Sequence, residues 1–511
     1  MNMKTINNKY LAIIVALVLM SCSDDFFDVN ESENDPSESK PELTLPVAQK
    51  FSADYISGGY NSPNTLGNIW TQAWTAAGDY IYFTDEMQYN VTSGFRTSTF
   101  QTAYLNPLDN YDYVEHFGEN SESGGAEFGY YRAIAKIMKA YHYQYLVDIY
   151  GDVPYTEALQ GKDNATPAYD SGQSIYDNIY DQITEAISLI QQGLDDAGTE
   201  NEIFQEIGNE DVMYGGNMTM WAKFGNSLRL RILLRQSELS NNLTSKYTAL
   251  DASPFGYLGA GENAYVNPGY VLQAGKQNPL WDAFGETSAG NLAANAEATR
   301  ATIYAIEKLR DEFNDPRLSR LYAPASAPED PAVPFVGIEQ NDQNANSPKS
   351  AELSGIGPGI LKGPDQNAII MQSAESLFLQ AEAAQRGFIA GNAQALYEAA
   401  ISESFTQLGA TGASAYYAQG INNVSWNASS DKIEAIITQK WIALNGTNGI
   451  ENWIEYKRTG FPADLPAAPN ALQSTIPIRL LYPSSEAANN PGNVPSQISA
   501  DAFNSPVFWD M

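Results

Sequence analysis

The chain is poor in the residues that carry most metal and thiol chemistry. Among 511 residues there are one cysteine, Cys22, and two histidines, His116 and His142. A lone cysteine in an exported chain makes no internal disulfide. Zinc sites draw on several His or Cys ligands and thiol catalysis on a Cys–His pair, so the counts argue against both. A Ser-His-Asp triad would need one of the two histidines. His142 lies in an apolar helical stretch, where a packed core imidazole is the expected role. Positive charge is scarce too: 28 Lys and Arg face 61 Asp and Glu, a net charge of −33. Such a field repels nucleic acid and anionic membrane surfaces, so no nucleic-acid partner is expected. P-loop, dinucleotide, HExxH and G-x-S-x-G motifs are absent. Ser429-Ser430-Asp431-Lys432 fits S-x-x-K, but it opens a helix, where capping accounts for it.

What is present begins at the N-terminus. Lys4 and Lys9 precede an apolar run over 11–20, and Leu19-Met20-Ser21-Cys22 follows. This is the layout of a secretory signal, with a core about half the roughly twenty residues that span a bilayer. Cys22 stands where a bacterial lipoprotein signal places its lipidated cysteine, and the tetrapeptide resembles that lipobox. Acyl chains on Cys22 would anchor the protein, since each buried methylene contributes about 0.8 kcal/mol. Residues 1–21 are thus expected to be a signal peptide. Residues 22–46 read as the lipidated cysteine and an acidic, Ser/Asn/Pro-rich disordered tether. Residues 47–511 read as one binding domain. Asp24-Asp25 resembles the acidic surface-export signals of Bacteroidetes lipoproteins.

Helical periodicity dominates the body. Tyr131, Ile134, Met138, His142, Tyr145 and Ile149 recur at three and four, predicting a helix over 127–150 that Gly151 and Pro154 end. Similar stripes predict helices over 174–191, 218–239 and 302–313. A pair follows over 372–386 and 392–408, with Ala393, Tyr397 and Ala400 spaced as in the second helix of a tetratricopeptide repeat. Asp431, with Glu434 three residues on, opens a helix over 431–444. Long loops are expected over 70–113, 253–301 and 322–369, and loops of that length are usually functional.

Five blocks in this order resemble the SusD/RagB family, nutrient-binding outer-membrane lipoproteins of Bacteroidetes. They are 141–155 (YHYQYLVDIYGDVPY), 314–318 (NDPRL), 373–383 (SAESLFLQAEA), 439–444 (QKWIAL) and 452–462 (NWIEYKRTGFP). The resemblance implies a mainly α, single SusD-like domain with tetratricopeptide-type helix pairs and an irregular, loop-built ligand-binding face. It implies a partner as well, a SusC-like TonB-dependent transporter that the lipoprotein covers as a lid. Trp453, Tyr456 and Arg458 in the last block read as core and ion-pair residues.

Glycan sites stack sugar rings on exposed aromatics and bond hydroxyls with amides, carboxylates or arginine. Two stretches have that chemistry. One holds Trp70, Trp74, Asp79, Tyr80, Tyr82, Asp85, Gln88 and Tyr89; the other holds Gln277, Asn278, Trp281, Asp282, Glu286, Asn291 and Arg300. Trp70 and Trp74 are four apart, and a buried stripe would explain Trp70. The candidate ligand residues are therefore Trp74, Tyr82, Asp85, Trp281, Asn291 and Arg300. The expected function is non-catalytic capture of an oligosaccharide at the outer-membrane surface for delivery to the transporter. Peptide capture is the alternative, and a two-carboxylate glycoside hydrolase a remote one. No cofactor is expected, and structural calcium is left open.

Overall fold

Helix propensity and apolar spacing place a helical frame around long irregular segments. The computed structural model describes residues 39–510 apart from 240, 241, 343 and 345. The signal segment, Cys22 and most of the tether lie outside the described residues. The tether ends earlier than the composition suggests, because α1 (Pro41–Ser57) already occupies 41–46. Pro41 stands in its first turn, where a missing N–H costs nothing. Leu45, Ala48, Ser52 and Ile56 are fully buried along one face and hold this helix on the core.

The frame continues with α2 (Pro63–Trp70), α3 (Gly129–Tyr150), α4 (Gly172–Asp196) and α5 (Met218–Arg235). It closes with α6 (Ser373–Gln385), α7 (Ala393–Leu408), α8 (Lys432–Leu444) and α9 (Gly449–Thr459). Helices α3 and α4 pack as one pair and α6 and α7 as another, while α9 lies against α2. The stretch expected as a loop over 70–113 contains helices Thr97–Ala103 and Asp109–His116. The predicted helix over 302–313 is broken: Thr302 caps a short turn at Ile303–Glu307, and a π-helical turn follows at Lys308–Glu312. Asp431 caps α8 by accepting from the amides of Ile433 and Glu434. Ser429 Oγ donates to Ser425 O at 2.7 Å and receives the Asn423 amide, so this S-x-x-K serine serves a turn.

Strands among the described residues form three two-stranded antiparallel ladders. They are β1 (Trp74–Ala76) with β5 (Thr299–Ala301), β2 (Val153–Pro154) with β3 (Tyr169–Asp170), and β4 (Ala264–Val266) with β6 (Ala368–Met371).

Charges lie inside the frame. From α5, Arg231 pairs with Glu375 of α6 at 2.9 Å, and Arg235 reaches Glu451 at 2.6 Å, Glu455, and Asp148 of α3 at 3.4 Å. Lys440 of α8 meets Glu451 at 3.0 Å. Arg458 of α9 holds Glu382 of α6 at 2.7 Å and Glu455 at 2.6 Å. All of these side chains are essentially buried. Arg458 was read as an ion-pair residue and Trp453 as core, and the structure has both so.

Two predictions follow from buried ionisable groups. Burial opposes ionisation of Glu382, but Arg458 outweighs it and holds the carboxyl at about 2, below its usual 4.5. That pair stabilises the fold above pH 4.5, and its contribution is lost as the pH falls through about 2. Arg458→Met strands Glu382 and is expected to cost about 3–5 kcal/mol, read by chemical denaturation at pH 7. His142 is pushed down to about 3 by burial, with Nε2 on Ser52 Oγ at 2.8 Å. Below pH 6.5 the unfolded chain binds a proton that the folded one refuses, so stability falls as the pH falls. His142→Phe should flatten the drop in Tm between pH 7 and 5, which removes about 2 kcal/mol from the native protein.

Candidate ligand-binding site

The ladder of β1 with β5 brings the two aromatic stretches together. Trp74 stands opposite Ala301, Thr75 opposite Arg300 and Ala76 opposite Thr299. Beyond β1 the chain lies across the short helix Ala294–Ala298. There the Tyr80 hydroxyl donates to Glu297 at 2.5 Å and the Tyr82 hydroxyl to Asn295 Oδ1. Asp79 accepts from the Ser350 amide at 2.8 Å, which ties in the third long loop.

The second stretch folds around Asn278. Its buried side chain accepts from the amides of Leu280 and Trp281 and donates to Gln366 O, starting the helix Pro279–Phe284. Gly285 ends that helix directly beneath the Trp281 ring. A Cβ there would stand 2.6 Å from the indole, so only glycine admits the ring in this position. The chain then makes a narrow turn, with Glu286 bridged to Leu292 and the Ala293 amide returned to Gly285 O.

Between this turn and the loop over 322–361 lies a cleft of about 530 Å³. Trp281 and Phe284 line it on one side; Ile356, Pro358 and Leu361 line the other. Arg300 projects from β5 into the same cleft. Its Nε donates to Ser350 O at 2.8 Å, and its Nη1 to the carbonyls of Ala296 and Thr299 at 2.8 and 2.7 Å. Burial lowers the pKa of this guanidinium, against the pull of Asp79, yet an arginine stays charged at any working pH. Backbone carbonyls thus fix a cation in an apolar cleft, beside an aromatic half-exposed to it.

Of the six candidate residues, Trp281 and Arg300 share this cleft. Asn291 stands exposed on the turn at its rim and does not line it. Tyr82 is a layer behind, bonded to the helix whose Ala296 forms part of the wall. Asp85 is exposed outside the cleft and accepts from Asn90 at 2.8 Å. Trp74 is corrected to a core residue: it is fully buried and packs on Phe284 at 5.1 Å, beneath the cleft lining. The four-residue spacing from Trp70 marks a buried pair, since Trp70 is fully buried as well. The walls from 353 to 361 were missed, although their Gly-Ile-Gly-Pro-Gly run (355–359) signals a tight, exposed chain path. Among the described residues no group of His, Cys, Asp or Glu is arranged to hold a metal, and no helix is long and apolar enough to cross a membrane.

The family model described as "starch-binding associating with outer membrane", SusD-like_2, matches residues 33–483. The chain belongs to the SusD-like family. Solved structures share the fold along nearly the whole length. A chitin-binding SusD homologue from Flavobacterium johnsoniae has 22% identity and a TM-score of 0.73, over 91% of this chain and 98% of that one. A SusD homologue from Bacteroides vulgatus has 21% identity and a TM-score of 0.73, over 92% and 98%. A protein described as chitin-binding has 24% identity and a TM-score of 0.72, over 92% and 100%. No curated protein sequence matches the chain. The SusD-like fold places the helical frame beneath a face of long loops, and the Trp281–Arg300 cleft lies between such loops.

The two tryptophans should part company in a stability measurement. Trp74→Ala empties a core position and is expected to cost about 3–5 kcal/mol by chemical denaturation. Trp281→Ala removes a half-buried ring at the surface and should cost only about 1 kcal/mol.

Proposed function

We propose that this SusD-like protein is a non-catalytic cell-surface lipoprotein that captures an oligosaccharide in the Trp281–Arg300 cleft. The single observation carrying this reading is that an aromatic and a fixed cation converge in one cleft of a SusD-like fold. Sugar rings pack on the indole while Arg300, Ser326, Ser350 and Glu286 meet hydroxyls. The family description and the chitin-binding neighbours support a glycan. The captured ligand passes to a SusC-like TonB-dependent transporter in the outer membrane. Cys22 carries the lipid anchor, and residues 22–40 lead from it to the body at Pro41.

The cleft speaks against hydrolysis. A glycosidase sets two carboxyl groups about 5–10 Å apart across the scissile bond. Among the residues lining this cleft Glu286 is the one carboxylate. A second reading, peptide capture, draws support from its apolar walls at Leu292, Ile356 and Leu361.

Calorimetry against plant, host and microbial glycans and a peptide library, with reducing ends assayed in the same samples, tests this. The expected result is glycan binding with no new reducing ends, weakened about tenfold or more in Trp281→Ala. New reducing ends would establish an enzyme. Binding confined to peptides would establish the second reading.

A further inference from the structure

A second cavity of about 340 Å³ lies on other elements, between the helix Asp109–His116, α3, α4 and the turn after β2. Its lining includes three cations, Lys136, Lys139 and His116, against two carboxylates, Asp112 and Glu115. Both carboxylates are already engaged. Glu115 takes Lys136 at 2.9 Å and Lys139 at 3.0 Å, and Asp112 takes Lys139 at 2.5 Å and His116 at 3.4 Å. Its hydrogen bond to Asp112 raises His116 to about 9, so the imidazole is charged at neutral pH. Lys136 spends its ammonium on Glu115, on Gln182 at 2.6 Å and on Glu185 at 3.2 Å, the last outside the lining.

What remains uncommitted is a set of donors. Lys139 has two anionic partners for three N–H bonds, and the Nε2 of His116 has no partner among the described residues. Tyr143, fully buried on α3, has a hydroxyl with no hydrogen-bond partner among them either. Asp112, Glu115 and Tyr155 all act electrostatically on that hydroxyl, and all three line the cavity. Burial keeps the phenol neutral, hence a donor. An unsatisfied buried hydroxyl costs about 1–3 kcal/mol, which a ligand acceptor would recover. The volume corresponds to roughly eleven waters at about 30 Å³ each, more than a bare ion fills.

We propose that this cavity is a second binding site that takes a small polyhydroxylated carboxylate, a sugar acid. Its carboxylate is received by Lys139, His116 and the Tyr143 hydroxyl, and its hydroxyls face Gln160 and Thr156 on the turn.

Calorimetry and thermal melting of the full-length chain with glucuronate, glucose and inorganic phosphate test this. Glucuronate should bind and raise Tm, with glucose and phosphate each at least about tenfold weaker. Tyr143→Phe should leave the ligand-free Tm unchanged or higher, since it deletes an unpartnered hydroxyl, and weaken glucuronate about five- to tenfold. Lys139→Met should weaken it further. No response to glucuronate would overturn the proposal, as would an equal response to glucose. Phosphate binding as tightly as glucuronate would reduce the site to an anion hole and overturn the sugar-acid assignment. Unchanged glucuronate affinity in Tyr143→Phe, or a lower ligand-free Tm, would give that hydroxyl a structural role and overturn it too.

Discussion

A buried lattice of opposite charges holds the helical frame in register. Arg231 and Arg235 reach from α5 to α3, α6 and α9; Lys440 and Arg458 join α8 and α6 to the same carboxylates on α9. Removing an ion from water costs several kcal/mol, and only close, opposite partners offset it. Each helix must therefore arrive with its charge at the right height and azimuth. An apolar core tolerates small slips between helices, whereas this one leaves a stranded charge for any slip. The arrangement uses cations that the chain otherwise has few of, with 28 against 61 acids. Nothing equivalent constrains the long loops, which leaves them free to shape a binding face.

The same lattice accounts for what could be read in the sequence. The blocks that resemble the family carry its members: Asp148 in 141–155, Glu375 and Glu382 in 373–383, Lys440 in 439–444, and Glu455 and Arg458 in 452–462. The fifth block, 314–318, carries a separate buried pair, Asp315 with Arg317 at 2.7 Å. Motifs that looked like function markers are thus the fold's internal wiring. Helices α3, α4 and α5 were legible because apolar stripes at three and four report burial directly. Pro41–Ser57 was partly missed because an acidic, proline-bearing start masks the buried stripe of Leu45, Ala48, Ser52 and Ile56.

The site was legible only in part, for a physical reason. Aromatic and polar residues of the right kind could be listed, but whether an indole is buried depends on partners hundreds of residues away. Trp74 faces Phe284, and the opposite wall of the cleft comes from the chain near 356. The ladder between β1 and β5 decides which candidates meet, and neither strand exceeds three residues. Arg300 was recognisable as chemistry, while its fixing by three backbone carbonyls was not.

Ionic strength should act on the fold and on the exterior field separately. Dissolved salt screens charges exposed to water within about 10 Å at 0.1 M, and reaches buried pairs far less. The strongly negative exterior therefore changes its effective strength with every change of medium, and with it the pull or push on charged solutes. The ion pairs that join the helices are shielded from those counter-ions. A protein at a cell surface so built keeps its architecture across dilute and saline surroundings while its long-range attraction and repulsion adjust.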